Sequence, residues 1–174
     1  VASAGDFNGD GAADFAVILG HDERPQAWST EYWLHPNSSE DSCQELAYDQ
    51  GGIYIFLGGQ NADLRPDFVF YGDQAGLVPE SLTGGFDFNG DGYADLAAGA
   101  IRRDRPWGND VGGVDVIFGR SLGADLQTWV GPELKPLQVI CSADQQFFGS
   151  AATDHFGFTL TGVKDLNRDG CDEL

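Results

Sequence analysis

The feature that most constrains this chain is a nine-residue acidic loop that occurs three times, beginning at residues 6, 87 and 165. Each copy has acidic or amide side chains at positions 1, 3, 5 and 9, and glycine at position 6. The glycine permits the sharp turn that brings alternate side chains to one centre. Calcium takes about six to eight oxygen ligands, and a loop of this spacing supplies them. The sequence therefore predicts three calcium sites, each of which joins the strands on either side of its loop rather than catalysing a reaction.

The predicted ligands are the side chains at positions 1, 3, 5 and 9 and the backbone carbonyl at position 7. They are Asp6, Asn8, Asp10, Ala12 and Asp14; Asp87, Asn89, Asp91, Tyr93 and Asp95; and Asp165, Asn167, Asp169, Cys171 and Glu173. The third set departs from the first two, because glutamate replaces aspartate at position 9 and Arg168 adds a positive charge beside the site.

An EF-hand opens in the same way but requires a bidentate glutamate at position 12. Position 12 is Val17 in the first loop and Ala98 in the second, and both residues lie in apolar runs that are typical of strands. The last side-chain ligand therefore comes at position 9, and these loops are not EF-hands.

The acidic composition limits the partners of the chain. Its net charge is −19, which argues against nucleic acids and anionic membranes as partners. With 41% hydrophobic residues it is expected to be globular, and no apolar run approaches the ~20 residues of a membrane span. The three cysteines are an odd number, and a disulfide between Cys141 and Cys171 is conceivable but is left open by the sequence. The chain has no initiator methionine and stops inside a motif, so we interpret it as a fragment.

Short runs rich in β-branched residues recur around the loops and predict a unit of four strands. Strand A is expected at 1–5 and 156–163, strand B at 14–20 and 95–101, strand C at 51–58 and 112–119, and strand D at 67–71 and 137–141. Apolar residues on both faces of strand B indicate sheets packed between other sheets. Repeated four-stranded sheets with a glycine-rich calcium loop predict an all-β fold, a β-propeller with antiparallel blades. A β-sandwich with calcium-bound hairpins is the alternative.

The residues that flank the loops point to a family. They are Phe156-Gly157 before the third loop and Gly99-Ala100 after the second, with Ile101 where proline would stand. With these residues the chain resembles the FG-GAP repeats of integrin α-subunit propellers and their relatives. The flanks depart from the pattern at Val78-Pro79 in the second unit and Ile18-Leu19 in the first. We expect about two blades and part of a third, with units at approximately 1–72, 73–141 and 142–174 and a long loop insertion at 21–50.

The candidate ligand-binding residues are aromatic side chains in two connections between strands B and C. They are Trp28, Tyr32 and Trp33 in the insertion and Trp107 in the shorter loop. In an up-and-down blade these connections project from the face opposite the calcium loops. The resemblance to integrin-like propellers implies ligand recognition on that face, and aromatic residues on loops favour binding. Packing of these side chains over the blade edge is an equal alternative.

The resemblance implies a non-catalytic segment of a secreted or cell-surface protein that binds a protein or carbohydrate ligand and packs against neighbouring blades. The alternatives are an accessory propeller of a secreted hydrolase or lyase, and a purely structural array. Residues 119–123 match the G-x-S-x-G pattern of a nucleophile elbow, which requires a strand-to-helix turn. The corresponding connection in the first unit has no serine, so we do not assign catalysis to Ser121.

Overall fold

The computed structural model describes residues 1–20, 52–60, 62–63, 65–71, 78–121, 138–140 and 142–174. Over these ranges the chain forms strands and no helix. The strands are β1 (Ala2–Gly5), β2 (Asp14–Leu19), β3 (Gly52–Phe56), β4 (Phe68–Tyr71), β5 (Ser81–Phe86), β6 (Asp95–Ala100), β7 (Gly113–Ile117), β8 (Gln138–Ile140) and β9 (Gln145–Phe148). The described ranges contain no helix with the length and apolar character needed to cross a membrane.

The strands form two sheets. The first has the order β1-β2-β3-β4-β8, and the second has the order β5-β6-β7-β9. Strands β1 to β4 pair antiparallel in sequence order, and all pairs in the second sheet are antiparallel. The predicted all-β class and four-stranded antiparallel units are therefore confirmed for the part of the chain that the structure describes. Closure into a complete propeller stays a prediction.

The fourth strand of the second sheet is not where the sequence predicted it. We assigned strand D to 137–141, and this was wrong. Gln138–Ile140 forms β8, which pairs in parallel with β4 at the edge of the first sheet. The fourth strand of the second sheet is β9, which pairs with β7. The second sheet thus continues past residue 141, while the division of the chain into three repeat units stays a prediction.

A pair of equivalent aspartates explains why β9 takes the place of β4 in the second sheet. Asp67 precedes β4 and accepts a hydrogen bond from the Leu57 N–H at 2.9 Å. Asp144 precedes β9 and accepts one from the Phe118 N–H at 2.8 Å. Leu57 and Phe118 both follow strand C, so the same carboxylate contact closes the C–D corner of each sheet.

The strand predicted at 156–163 is also absent from the described residues. Phe156 and Val163 form isolated bridges instead, to Gly112 and Glu173. The Val163–Glu173 bridge lies at the corner where strands A and B pair in the two complete sheets.

The two sheets pack face to face at their first strands. Gly5, at the end of β1, has φ +68°, and a Cβ there would lie 2.6 Å from the Ala94 Cβ and 2.8 Å from the Gly85 Cα. Only glycine fits this approach. The core between the sheets contains Phe7, Ala16, Ile53, Ile55, Phe68, Phe70, Leu96, Ala98 and Ile117. A second cluster, Phe86, Ala97, Val114 and Val116, covers the other face of the second sheet. This burial on both faces accounts for the apolar sequence of β6, as predicted, whereas Phe15 and Leu19 of β2 are exposed.

A buried ion pair anchors the connection between β6 and β7. The Arg103 guanidinium donates two hydrogen bonds to the Asp115 carboxylate, and the two side chains are 1% and 2% exposed. The Gln146 side chain on β9 donates a third hydrogen bond to Asp115 at 2.8 Å. The ion pair therefore fixes the 101–112 loop, which carries Trp107, to the central strands of the second sheet.

Removal of the Asp115 carboxylate should show how much free energy of unfolding is lost when the buried Arg103 charge has no counter-charge. We expect Asp115→Ala to lower the free energy of unfolding by about 3–5 kcal/mol, because it leaves the Arg103 guanidinium buried without its counter-charge. The double variant Arg103→Leu/Asp115→Leu should recover most of this loss. Urea denaturation measures both effects. Wild-type stability in Asp115→Ala would contradict the assignment.

Candidate metal centres

The three acidic loops share one internal network of hydrogen bonds. In the first loop the Asp6 carboxylate accepts the N–H groups of Asp10 and Gly11, each at 2.9 Å. The Asn8 side chain accepts the Asp10 N–H and donates to the Asp10 carboxylate. The Asp10 carboxylate in turn accepts the Ala12 N–H at 2.8 Å.

The same bonds recur at the corresponding positions of the second and third loops. The side chains at positions 1, 3 and 5 are thus arranged around each turn by its own backbone.

The position-9 aspartates of the first two loops are buried and have a second role. Asp95 accepts the Phe88 N–H at 2.7 Å and the Gly119 N–H at 2.8 Å. Asp14 does the same with the N–H groups of Phe7 and Gly58. Each carboxylate therefore joins its acidic loop to the second residue after strand C.

Burial also changes the charge balance at position 9. It raises the pKa of Asp95 to about 6, although the hydrogen bonds from Gly119 and Phe88 act in the opposite direction. Burial likewise raises the pKa of Asp14. A cation beside these carboxylates would favour their ionised form. The donor set of carboxylate and amide oxygens, with charge partly withdrawn from water, therefore fits a hard cation such as calcium.

The third loop differs in how its carboxylates are placed. Asp165, Asp169 and Glu173 each have an oxygen within 4.8 Å of the others, and among the described residues only this loop brings three such groups that close together. The Glu173 carboxylate accepts the Leu166 N–H at 2.8 Å, which is the same position-2 amide that Asp14 and Asp95 bind in the other two loops. The loop with the poorest match to the sequence pattern thus has the most converged carboxylates.

Adjacent loops are bonded to each other directly. The position-1 carbonyl of each loop accepts the position-8 N–H of the next: Asp6 from Ala94 at 3.0 Å, and Asp87 from Asp172 at 2.7 Å. The junction between the second and third loops has further contacts. The Asp172 carboxylate accepts the Asp87 N–H at 2.9 Å and the Lys164 ammonium at 2.6 Å. The Lys164 hydrogen bond and the Asp87 N–H hold the pKa of Asp172 below its usual value.

Two position-4 glycines allow this close contact and were not singled out from the sequence. Gly9 has φ +72°, and a Cβ there would lie 2.5 Å from the Tyr93 ring. Gly90 has φ +73°, and a Cβ there would lie 3.1 Å from the Cys171 Sγ. The sequence shows glycine at position 4 of both loops, but the requirement for glycine there comes from contacts with the neighbouring loop. The third loop has Arg168 at this position, with φ +66°.

The predicted ligand-binding residues fall partly outside the described residues. Trp28, Tyr32 and Trp33 lie in the 21–50 insertion and are among the residues that the structure does not describe. Trp107 is 53% exposed, and its indole N–H donates to the Gly149 carbonyl at 3.3 Å. The 101–112 loop joins β6 to β7, whereas the 87–95 loop joins β5 to β6, so Trp107 lies at the opposite end of β6 from the second acidic loop.

Two further sequence hypotheses can be placed. Gly119, the first residue of the G-x-S-x-G match, donates its N–H to Asp95 and so belongs to the C–D corner of the second sheet. The Cys171 thiol is free, and Cys141 lies outside the described residues.

The second sheet and its acidic loop are the part of the chain that a known family describes. Residues 78–117 match the FG-GAP repeat. This match runs from β5 through the 87–95 loop to the end of β7, and it confirms the resemblance inferred from the sequence for this unit. FG-GAP repeats are typically non-catalytic structural domains. No curated protein matches the chain.

Because only the position-9 aspartate bonds the corner amides, two aspartates of the second loop should differ in their effect on stability. Without calcium, we expect Asp95→Ala to lower the free energy of unfolding by about 2–4 kcal/mol, because the Phe88 and Gly119 N–H groups lose their acceptor in the interior. Asp91→Ala, in the exposed part of the same loop, should cost less than about 1 kcal/mol. Urea denaturation in EDTA compares the two, and equal losses would contradict the corner role.

Proposed function

We propose that this chain is a calcium-stabilised FG-GAP propeller segment of a secreted or cell-surface protein, and that it is not an enzyme. In this proposal calcium holds the corners of the sheets, and loops on the opposite side bind a protein or carbohydrate ligand. The observation that carries the proposal is the identical hydrogen-bond network in three acidic loops, two of them at the A–B corners of complete sheets.

Calcium binding is supported by the chemistry of the loops. Each loop offers only oxygen donors at the predicted ligand positions, and its backbone already orders the side chains at positions 1, 3 and 5. Loops of extracellular modules bind calcium with dissociation constants of about 10⁻⁴–10⁻³ M. Such affinities would keep these sites filled outside the cell, which agrees with the proposed location.

Packing against neighbouring blades is supported by exposed apolar side chains in the third unit. Phe158 is 69% exposed and Leu166 is 74% exposed, whereas the equivalents of Leu166 at position 2 of the other loops, Phe7 and Phe88, are buried and partly buried. Phe7 is covered by residues of both sheets. We propose that a further sheet covers Leu166 in the same way.

Ligand binding on the side opposite the acidic loops is supported by the surroundings of Trp107. Its ring makes an edge contact with Phe148 at a centroid distance of 6.4 Å, and the Arg105 guanidinium lies 3.9 Å from the centre of the same Phe148 ring. Fixed aromatic and arginine side chains on a loop are typical binding anchors. An acidic chain that presents arginine beside tryptophan here favours a ligand with anionic or hydroxyl groups.

Calcium should stabilise the folded chain. We expect 10 mM calcium to raise the free energy of unfolding by about 1–3 kcal/mol per occupied site, because the ion binds the folded state only. Asp10→Ala and Asp91→Ala should each remove the share of one site, while Asp63→Asn, at an exposed acid outside the loops, should keep the full effect. Thermal melts with calcium or EDTA measure this. Identical melting curves in calcium and EDTA would contradict the proposal.

The ligand face can be tested against immobilised glycans and extracellular matrix proteins. We expect Trp107→Ala to weaken binding to any positive target about tenfold or more, because an aromatic anchor is lost. Leu166→Ala, an exposed apolar residue on the acidic-loop side, is the matched control and should bind normally. Deletion of 26–48 examines the other three aromatic residues. Normal binding by both the Trp107 variant and the deletion variant would place recognition elsewhere.

A further inference from the structure

The junctions between adjacent loops place the backbone of one predicted cation site against the ligands of the next. Position 8, which donates its N–H to the preceding loop, stands between the predicted ligands at positions 7 and 9 of its own loop. Position 1, which accepts that hydrogen bond, is itself a predicted ligand. A shift of the backbone in one loop therefore changes ligand positions in its neighbour.

The second junction holds its loops more tightly than the first. Asp87, the first ligand of the second loop, donates its N–H to the Asp172 carboxylate and accepts the Asp172 N–H, so one residue of the third loop binds both sides of it. Asp172 also accepts the Asp165 N–H at 3.0 Å, which ties it to the first ligand of its own loop. At the first junction the equivalent residue is Ala94, which has no carboxylate, and it bonds Asp6 through its backbone N–H alone. Among the described residues, the other hydrogen bond to the first loop from the second sheet comes from the Arg120 N–H, after β7, to the Phe7 carbonyl at 2.8 Å, and not from the second loop.

We infer that calcium binding in the second and third loops is energetically coupled, and that Asp172 is the positioning residue that transmits the coupling. The inference rests on the proposed calcium binding. A cation in the third loop fixes the backbone on both sides of Asp172, and the Asp172 carboxylate then holds the Asp87 backbone in its binding position. The second loop loses less conformational entropy when it binds its own cation.

By linkage the effect is reciprocal, so a cation in the second loop strengthens binding in the third by the same factor. The first and second loops, joined without an equivalent carboxylate, are coupled more weakly.

The second loop carries its own reporter. Tyr93 stands at position 7, where the other loops have Ala12 and Cys171, so terbium bound in the second loop is sensitised through this ring. Because the Tyr93 ring also lies against Gly9 of the first loop, the titrations use an Asp10→Ala background to remove binding there. In that background we expect Asp169→Ala, which disables the third loop, to weaken terbium binding in the second loop at least about fivefold.

The role of Asp172 is tested by repeating the comparison in variants of this residue. In an Asp172→Ala background, Asp169→Ala should have no further effect on terbium binding. Asp172→Asn keeps one acceptor oxygen for the Asp87 N–H, although it gives up the second bond, from the Asp165 N–H, and should retain the coupling because the Asp87 contact transmits it. Lys164→Ala, which removes only the ion pair, should also retain the coupling. Because Asp172→Asn and Lys164→Ala keep the Asp87 contact, they remain informative if Asp172→Ala fails to fold. Calorimetric calcium titration of Asp91→Ala should show the reciprocal loss of affinity in the third loop.

The outcomes separate this inference from the proposed function. Absence of calcium and terbium binding by the wild-type chain would overturn both. Normal binding in the second loop that does not depend on Asp169 would overturn the coupling alone. Coupling that persists in Asp172→Ala would show that the Asp172–Asp87 contact does not transmit it. Loss of coupling in both Lys164→Ala and Asp172→Asn would show the same.

Discussion

A buried carboxylate at the ninth position of the first and second acidic loops is the interaction on which both complete sheets depend. Asp95 accepts N–H groups from its own loop and from Gly119, two residues after β7, and Asp14 does the same in the first sheet. Buried backbone N–H groups must find acceptors, and at these corners no ladder supplies them. One side chain thereby fixes the loop between strands A and B to the end of strand C. The hydrogen bonds of the corner form without a cation. A bound cation would further stabilise a loop whose backbone already positions its side chains.

This arrangement separates the scaffold from the surface proposed for recognition. The acidic loops, their carboxylates and the bonds between loops lie at one end of the strands. The 101–112 loop lies at the other end of β6, where the Arg103–Asp115 pair holds it to the sheet from inside. A buried ion pair is weak evidence for stability, since well-packed apolar residues often serve as well. Here the ion pair fixes the position of the 101–112 loop, which presents Trp107, while both side chains of the pair stay buried.

The sequence predicted the features that depend on residues close to one another in the chain. The acidic loops, strand A of the first unit and strands B and C of the first two units follow from periodicity and glycine placement within about ten residues, and the structure has these strands within two residues of the expected bounds. Strand D of the second sheet was misplaced because 137–141 is the more apolar run, whereas β9 begins with two glutamines. The deciding contact, between Asp144 and the Phe118 N–H, crosses 26 residues of sequence. Asp172 and Gly90 escaped notice for the same reason, since their partners lie in another loop.

In the third loop, glutamate at position 9 has one more methylene group than aspartate, and this changes where its carboxylate lies. In the first two loops the short aspartate at position 9 reaches the corner amides and is held away from the other carboxylates. Glu173 accepts the position-2 N–H of its loop, as Asp14 and Asp95 do in theirs, but its longer side chain also brings a carboxylate oxygen within 4.8 Å of those of Asp165 and Asp169. Like charges this close repel one another unless a cation offsets them. The first two loops would therefore combine corner bonding with the proposed cation binding, whereas the stability of the third would depend more directly on the ion. In the proposed coupling Asp172 is important because it connects the loop whose carboxylates most need a cation to Asp87, the first predicted ligand of the second loop.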